Sequence, residues 1–307
     1  HRDLHSFPTR RSSDLDSGKA RQTAELFFSS NQSGLSKVKS SVPQKLEKKY
    51  QSPGVRHTPL FIYQSQSDGF VIVAQNNGRF AIVGYSPEGK FRADSVPPQL
   101  KSLLKLYEDS LQFDEDNQIA RANAVVAPLL DQAGVNLDQF SHSQVGGCPT
   151  GCIATAFTQI MAYHRYPNKG TGSNCYTHAT YGQLCADFEN TVYNWTNPTY
   201  EDYEKLSYHV GISMNMNYCG SPFGSIPSSS DYIERIHKHF GYYIQSGPFA
   251  GITSQSVNIC SELDNRRPVY AELPGNPGHA VVLDGYDTNG FFHIHFGWGG
   301  LYNGYYA

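Results

Sequence analysis

Thr150-Gly151-Cys152-Ile153-Ala154-Thr155-Ala156 decides how the chain is read. Ile153, Ala156, Phe157, Ile160 and Met161 recur at the spacing of one helical face, while Thr158, Gln159 and Arg165 fall off that stripe. Gly151 permits a tight turn just before the helix. Cys152 is therefore expected in the first turn of a packed helix, where unpaired N–H groups and the positive end of the macrodipole favour a thiolate. The thiolate is the nucleophilic form of cysteine, so the placement suits catalysis. A lone buried cysteine is more often an inert structural thiol, and the rest of the chain has to decide between the two.

Working outward, a nucleophilic cysteine needs a base that is near in space and is usually distant in sequence. His279, in Gly278-His279-Ala280-Val281-Val282, opens a strand pattern much later in the chain. His293 and His295 alternate along the next strand and share one face of it. Among the 12 histidines, His164, His209, His237 and His239 read as surface or internally satisfied residues. Cys148 and Cys152 form a C-x3-C pair with His142 and His164 nearby, which raises a metal site. No second ligand pair at zinc spacing accompanies them, so catalysis is the stronger reading and no metal or cofactor is called for.

The 307 residues suffice for one large or two ordinary domains. A net charge of −3 supplies no basic footprint for nucleic acid, and no apolar run is long enough to span a membrane. The 21 tyrosines and 17 phenylalanines suit a β-rich domain. Six cysteines are too few for a dense disulfide framework. Cys175 and Cys185 flank a polar loop that a disulfide would close, but the pairing is left open by the sequence.

Taken in order, residues 1–15 read as an artefactual, unstructured leader resembling translated adapter DNA, with no apolar core of a signal peptide. Residues 16–30 carry a helical stripe, 31–57 are polar and read as loop, and 60–64, 69–74 and 80–85 are strands bounded by turn residues. Residues 97–112 form a helix with proline at its start. The polar stretch 113–122 is a linker of the kind that proteases nick. Helical patterns follow at 125–133, from Cys152 to Tyr166-Pro167, and at 201–216 and 229–240, with a long irregular stretch up to about 198. The end is β: 268–273, 279–286, 290–296 and 304 onward. Helices followed by strands give an α+β order. Residues 16–122 and 123–307 are expected to be separate domains, the second one cut short at its C-terminus.

These motifs resemble the streptopain family of secreted bacterial cysteine peptidases. The segment from Thr150 through Gln159-Ile160-Met161-Ala162-Tyr163-His164-Arg165-Tyr166-Pro167-Asn168-Lys169-Gly170 is similar to the family's nucleophile segment. Gly278 to Gly285 resembles its histidine segment and Gly297-Trp298-Gly299-Gly300 its glycine–tryptophan loop. Asp68-Gly69-Phe70-Val71-Ile72-Val73 and Val83-Gly84-Tyr85-Ser86 resemble propeptide strands. The resemblance implies a papain-like fold and a zymogen that hydrolyses peptide bonds in proteins. Residues 16–122 would be the propeptide, acting as the chain's own inhibitor until cleavage near Arg121-Ala122-Asn123-Ala124.

Residue by residue, the resemblance implies that Cys152 is the nucleophile, His279 the general base and acid, and Gln139 an oxyanion-hole donor beside the Cys152 N–H. It also implies that Gly278 lines the substrate cleft with Ser225, and that Trp298 covers His279. Family substrates carry a bulky apolar side chain two residues before the scissile bond. One departure stands out: His295-Phe296 replaces the family's Asn-Trp. A neutral His295 would accept the hydrogen bond from His279 and, by titrating near neutrality, steepen the acid limb of the activity profile. Two rivals remain, a catalytically impaired peptidase-like binding module and an acyl transferase or amidase on the same fold.

Overall fold

The computed structural model describes residues 12–30, 45–52, 59–66, 68–76, 78–110, 125–243 and 252–307. The chain forms two compact units, residues 1–116 with 306–307, and residues 117–305. The linker at 113–122, the cleavage position at 121–124 and residues 1–11 of the leader lie outside the described residues.

In the first unit, helix α1 (Ser12–Ser30) turns Ala20, Ala24 and Phe28 inward, and Phe27 stacks on Tyr85 at 4.8 Å. Four antiparallel strands follow in the spatial order β1 (Leu46–Gln51), β2 (Leu60–Ser65), β3 (Phe70–Asn76), β4 (Arg79–Ser86). All six residues of β2 are buried, which explains its unbroken apolar reading. β1 falls in a stretch expected to be loop. Its sequence, Leu-Glu-Lys-Lys-Tyr-Gln, buries only Leu46 fully, and lysines on an edge strand discourage pairing with other chains. Helix α2 (Pro98–Ser110) buries Leu100, Leu103, Leu104 and Tyr107, as its spacing implied.

The second unit is α+β. Its helical part begins with α3 (Leu129–Gln132), much shorter than the expected 125–133. Pro128 disfavours a helical conformation at the residue before it, and Val126 instead bridges to Tyr286. Two short strands, β5 (Ser141–His142) and β6 (Cys148–Pro149), lead into α4 (Cys152–His164). α4 is buried on every side, Thr158 and Gln159 included, so it is a central helix and not a one-faced one. Thr158 satisfies its hydroxyl on the Ala154 carbonyl at 2.7 Å.

The stretch read as irregular contains a hairpin, β7 (Ser173–His178) with β8 (Gly182–Asp187). Its two strands are joined by a Cys175–Cys185 disulfide across a directly paired position, which settles the pairing that the sequence leaves open. α5 (Tyr200–Ser213) starts at a capping box in which Thr199 and Asp202 satisfy each other's backbone N–H. The hairpin β9 (Met216–Ser221) and β10 (Gly224–Pro227), then α6 (Tyr232–Phe240) and the unforeseen α7 (Ile252–Asp264), complete the helical part. The antiparallel sheet runs β11 (Val269–Leu273), β12 (His279–Tyr286), β13 (Phe292–His295), β14 (Gly304–Tyr306). All eight residues of β12 are buried.

Cys148 is not a metal-ligand candidate, because it is disulfide-bonded to Cys219 across a separation of 71 residues. The bond ties the strand ahead of Cys152 to the β9 hairpin. A covalent loop of that size removes unfolded-chain entropy of about 4 kcal/mol. Cys219→Ser is therefore expected to lower the unfolding free energy by about 2–5 kcal/mol in a urea titration. A midpoint and slope equal to wild type would show that the bond is absent or idle.

Candidate active site

Gly151 caps α4 with φ 94°, and an added Cβ there would lie 2.3 Å from the Ser225 carbonyl oxygen. Only glycine fits, and the consequence is that Cys152 becomes the first residue of α4. The β5–β6 ladder pairs Ser141 with Pro149, and the Thr150 N–H continues it by donating to the Phe140 carbonyl at 2.8 Å. Followed one step further, the same register sets Gln139 opposite Gly151, next to Cys152. The ladder is anchored from behind by buried His142, whose Nε2 lies 2.5 Å from the Thr150 hydroxyl and whose Nδ1 lies 3.1 Å from Glu204.

β12 supplies the second half of the site. The main-chain N–H of Ala280, the residue after His279, faces the Cys152 sulfur together with the N–H groups of Ile153 and Cys152 itself. The helix N-terminus and the strand mouth therefore meet at the thiol. His279 is buried, and its Nε2 lies 2.8 Å from the Phe296 carbonyl oxygen. A carbonyl can only accept, so Nε2 carries the hydrogen and Nδ1 is the unprotonated nitrogen. Nδ1 is buried without a hydrogen-bond partner among the described residues. A partnerless buried lone pair is costly in a fold and is what a general base offers.

Trp298 stacks on His279 with centroids 4.6 Å apart and 24° between planes, and on Phe296 at 4.9 Å and 12°. Gly278 is exposed directly before His279. Ser225 is buried, and its hydroxyl is committed to backbone: it donates to the Pro149 carbonyl at 2.5 Å and accepts from the Cys219 N–H at 3.0 Å. Ser225 thus braces the segment ahead of Cys152, and its side chain is not offered to a ligand.

The hydrogen bond expected between His279 and His295 is not the one formed. His295 sits on the face of β13 that it shares with His293, their rings 5.8 Å apart. There its Nε2 lies 2.9 Å from Asp131, its Nδ1 3.3 Å from Gln159, and the Asn303 amide 3.1 Å from the ring. His293 is held in the same way by buried Asp284, which also accepts the Leu130 N–H at the start of α3. The acceptor for His279 is main chain, one residue along from the substituted position. The steep acid limb expected from His295 loses its basis with that bond. Sequence reasoning had no signal for Phe296, since every residue has a carbonyl.

Burial draws the His279 pKa down to about 4, against a smaller upward pull from the Phe296 carbonyl. Burial raises the Cys152 thiol, opposed by the three N–H groups, and the charge of Glu272 adds to the rise. Burial thus favours a neutral thiol and a neutral imidazole. Such a pair can pass the thiol proton to Nδ1 as sulfur attacks an electrophilic carbon, and return it to a leaving group.

Residues 131–306 match the Peptidase C10 family. The chain belongs to that family. Residues 12–111 match the Spi protease inhibitor family, so the chain is the zymogen of a cysteine peptidase. Streptopain of Streptococcus pyogenes serotype M1 is 29% identical over 335 residues, covering 94% of this chain and 83% of the relative. The thiol protease/hemagglutinin PrtT of Porphyromonas gingivalis is also 29% identical, over 98% of this chain but only 39% of its own length. A prointerpain A fragment from Prevotella intermedia superposes with a TM-score of 0.67 over 86% of this chain and 91% of the fragment, at 24% identity. That likeness is one of fold, and the fold is papain-like.

A neutral resting pair has a measurable consequence. In a Cys260→Ser background, which removes the other free thiol, alkylation of Cys152 in the folded precursor should be slow at neutral pH. The rate should climb as pH rises past the ordinary thiol value of about 8.5. A rate already at its plateau near pH 6 would mean a thiolate–imidazolium pair instead.

Proposed function

We propose that this zymogen yields a secreted endopeptidase in which Cys152 is the nucleophile and His279 the general base and acid. The observation that carries the reading is the tautomer of His279: Nε2–H is held by Phe296, leaving Nδ1 as the free base at the mouth of β12, beside the N-terminus of α4. In the proposed reaction, Nδ1 takes the Cys152 proton as sulfur attacks the peptide carbonyl. The imidazolium then protonates the departing amine, and water hydrolyses the thioester by the reverse proton path. The Cys152 main-chain N–H and the Gln139 side-chain amide stabilise the oxyanion. Trp298 excludes water from one face of the imidazole, and Gly278 borders the cleft.

The two disulfides support an oxidising, extracytoplasmic destination, since such bonds are rare in reducing compartments. No helix among the described residues is long and apolar enough to cross a membrane. We take residues 16–122 as the inhibitory propeptide, 123–307 as the peptidase, and the cut between them near Arg121-Ala122-Asn123-Ala124. The match of residues 12–111 to a protease-inhibitor family supports self-inhibition before that cut.

The deciding experiment is self-processing of the full-length natural precursor, wild type beside Cys152→Ala, followed by N-terminal sequencing. Wild type alone should shorten, with a new terminus near Asn123. If neither is cut and a thiol-directed epoxide leaves folded wild type unlabelled, the catalytic assignment is wrong and a binding module is the better reading. Among processed variants, Gln139→Ala should lower kcat on the order of 100-fold with KM little changed. Unaltered kcat would remove Gln139 from the oxyanion hole.

A further inference from the structure

Tyr270 and Glu272 are two apart on β11 and so point to the same side of the sheet. That side faces α4, because the Tyr270 ring stacks on Phe157 at 4.7 Å and 12°. In the β11–β12 ladder Glu272 pairs with Ala280, whose N–H faces the Cys152 sulfur. The Glu272 carboxylate therefore sits one strand away from the reacting atom, close enough for its charge to disfavour the thiolate.

The carboxylate is held in place. The Tyr270 hydroxyl donates to Oε1 at 2.6 Å, and the Tyr232 hydroxyl, from α6, donates to the same oxygen. Neither donor neutralises the charge. Glu272 is exposed and forms no ion pair among the described residues, although other acids on the same unit, such as Asp231 and Glu262, are paired with arginines. A fixed, unneutralised carboxylate beside a cysteine that must become a thiolate opposes the chemistry unless something cationic joins it. The surroundings suit one kind of cation. The Tyr232 ring and the face of Tyr270 away from Phe157 offer aromatic surface for an aliphatic stem and its charged head, and Oε2 has no hydrogen bond among the described residues, so it can accept a charge-assisted one.

We propose that Glu272, fixed by Tyr232 and Tyr270, is a specificity-determining residue that selects a lysine or arginine side chain in a substrate residue flanking the scissile bond. This rests on the cysteine-peptidase reading and narrows its substrate class. Binding of that side chain also relieves the repulsion that Glu272 exerts on the thiolate, so the correct substrate assists its own attack.

The test uses the processed enzyme obtained from the full chain and an N-terminally acetylated fluorogenic peptide series. Lys, Arg, norleucine and Glu are placed in turn at each residue on either side of the cleaved bond. Wild type should favour Lys or Arg over norleucine in kcat/KM at one position, on the order of tenfold. Glu272→Gln should bring that ratio close to one, and Glu272→Lys should invert it in favour of Glu. Labelling of Cys152 by a thiol-directed epoxide in every variant checks that the sites are folded. Turnover with no basic preference at any position, or a preference unchanged in labelled Glu272→Gln, overturns the proposal. A preference that appears only with unacetylated peptides overturns it too, because the acid would then be reading an α-amine. No turnover of any peptide, with wild-type Cys152 unlabelled, overturns both this inference and the peptidase reading beneath it.

Discussion

The hydrogen bond from His279 Nε2–H to the Phe296 carbonyl oxygen is the constraint on which the site depends. A histidine ring has two nitrogens and, when neutral, one hydrogen to share between them. A pure acceptor at Nε2 settles where that hydrogen goes and leaves Nδ1 unprotonated. In this chain the acceptor is backbone, fixed by the course of β13 into the Gly297 turn, where φ is 72°. It has no side-chain pKa and no rotamers, so the orientation of His279 does not depend on another titrating group. The stacked rings of Trp298 and Phe296 hold the imidazole plane from the side, a contact worth about 0.5–1.5 kcal/mol beyond the area that it buries.

Other contacts fix where Cys152 lies. Gly151 makes the turn that starts α4 at Cys152, Ser225 and the Cys148–Cys219 bond brace the strand ahead of it, and the β5–β6 ladder carries Gln139 alongside. Buried His142 reinforces the same ladder through Thr150. The second sheet face is separately pinned. Asp284 and Asp131 hold His293 and His295, and those pairs tie α3 and β13 together behind the site. The histidines of β13 thus serve the scaffold, while the histidine of β12 is held by Phe296 and Trp298. The charge of Glu272, by contrast, works against a Cys152 thiolate.

Much of this was legible before the structure. Residues with strong local signatures were placed correctly as elements: the amphipathic run after Cys152, the β-branched strands from 60 to 85, and the buried run Ala280–Leu283. Trp298 stacks on His279, and Cys152 opens its helix behind Gly151. What escaped the sequence has physical reasons. β1 is a polar edge strand with one core side chain and so carries no alternating pattern. Thr158 and Gln159 look like a solvent face, yet both are buried: the Thr158 hydroxyl is satisfied on the Ala154 carbonyl and Gln159 Oε1 meets His295, while Gln159 Nε2 has no partner among the described residues. The role expected of His295 failed because register, and not identity, decides which group of β13 reaches His279. Glu272 went unnoticed because a single acid in a strand is ordinary until its tyrosines and its pairing with Ala280 are seen.

The central claim is a tautomer, and nitrogen NMR reads tautomers directly. Long-range proton–nitrogen correlation on the folded, histidine-labelled protein at neutral pH, with His279→Gln for assignment, separates the two ring nitrogens of His279. The account predicts a protonated, pyrrole-type Nε2 and an unprotonated, pyridine-type Nδ1. A hydrogen on Nδ1, whether in the opposite tautomer or in a fully protonated ring, would contradict it.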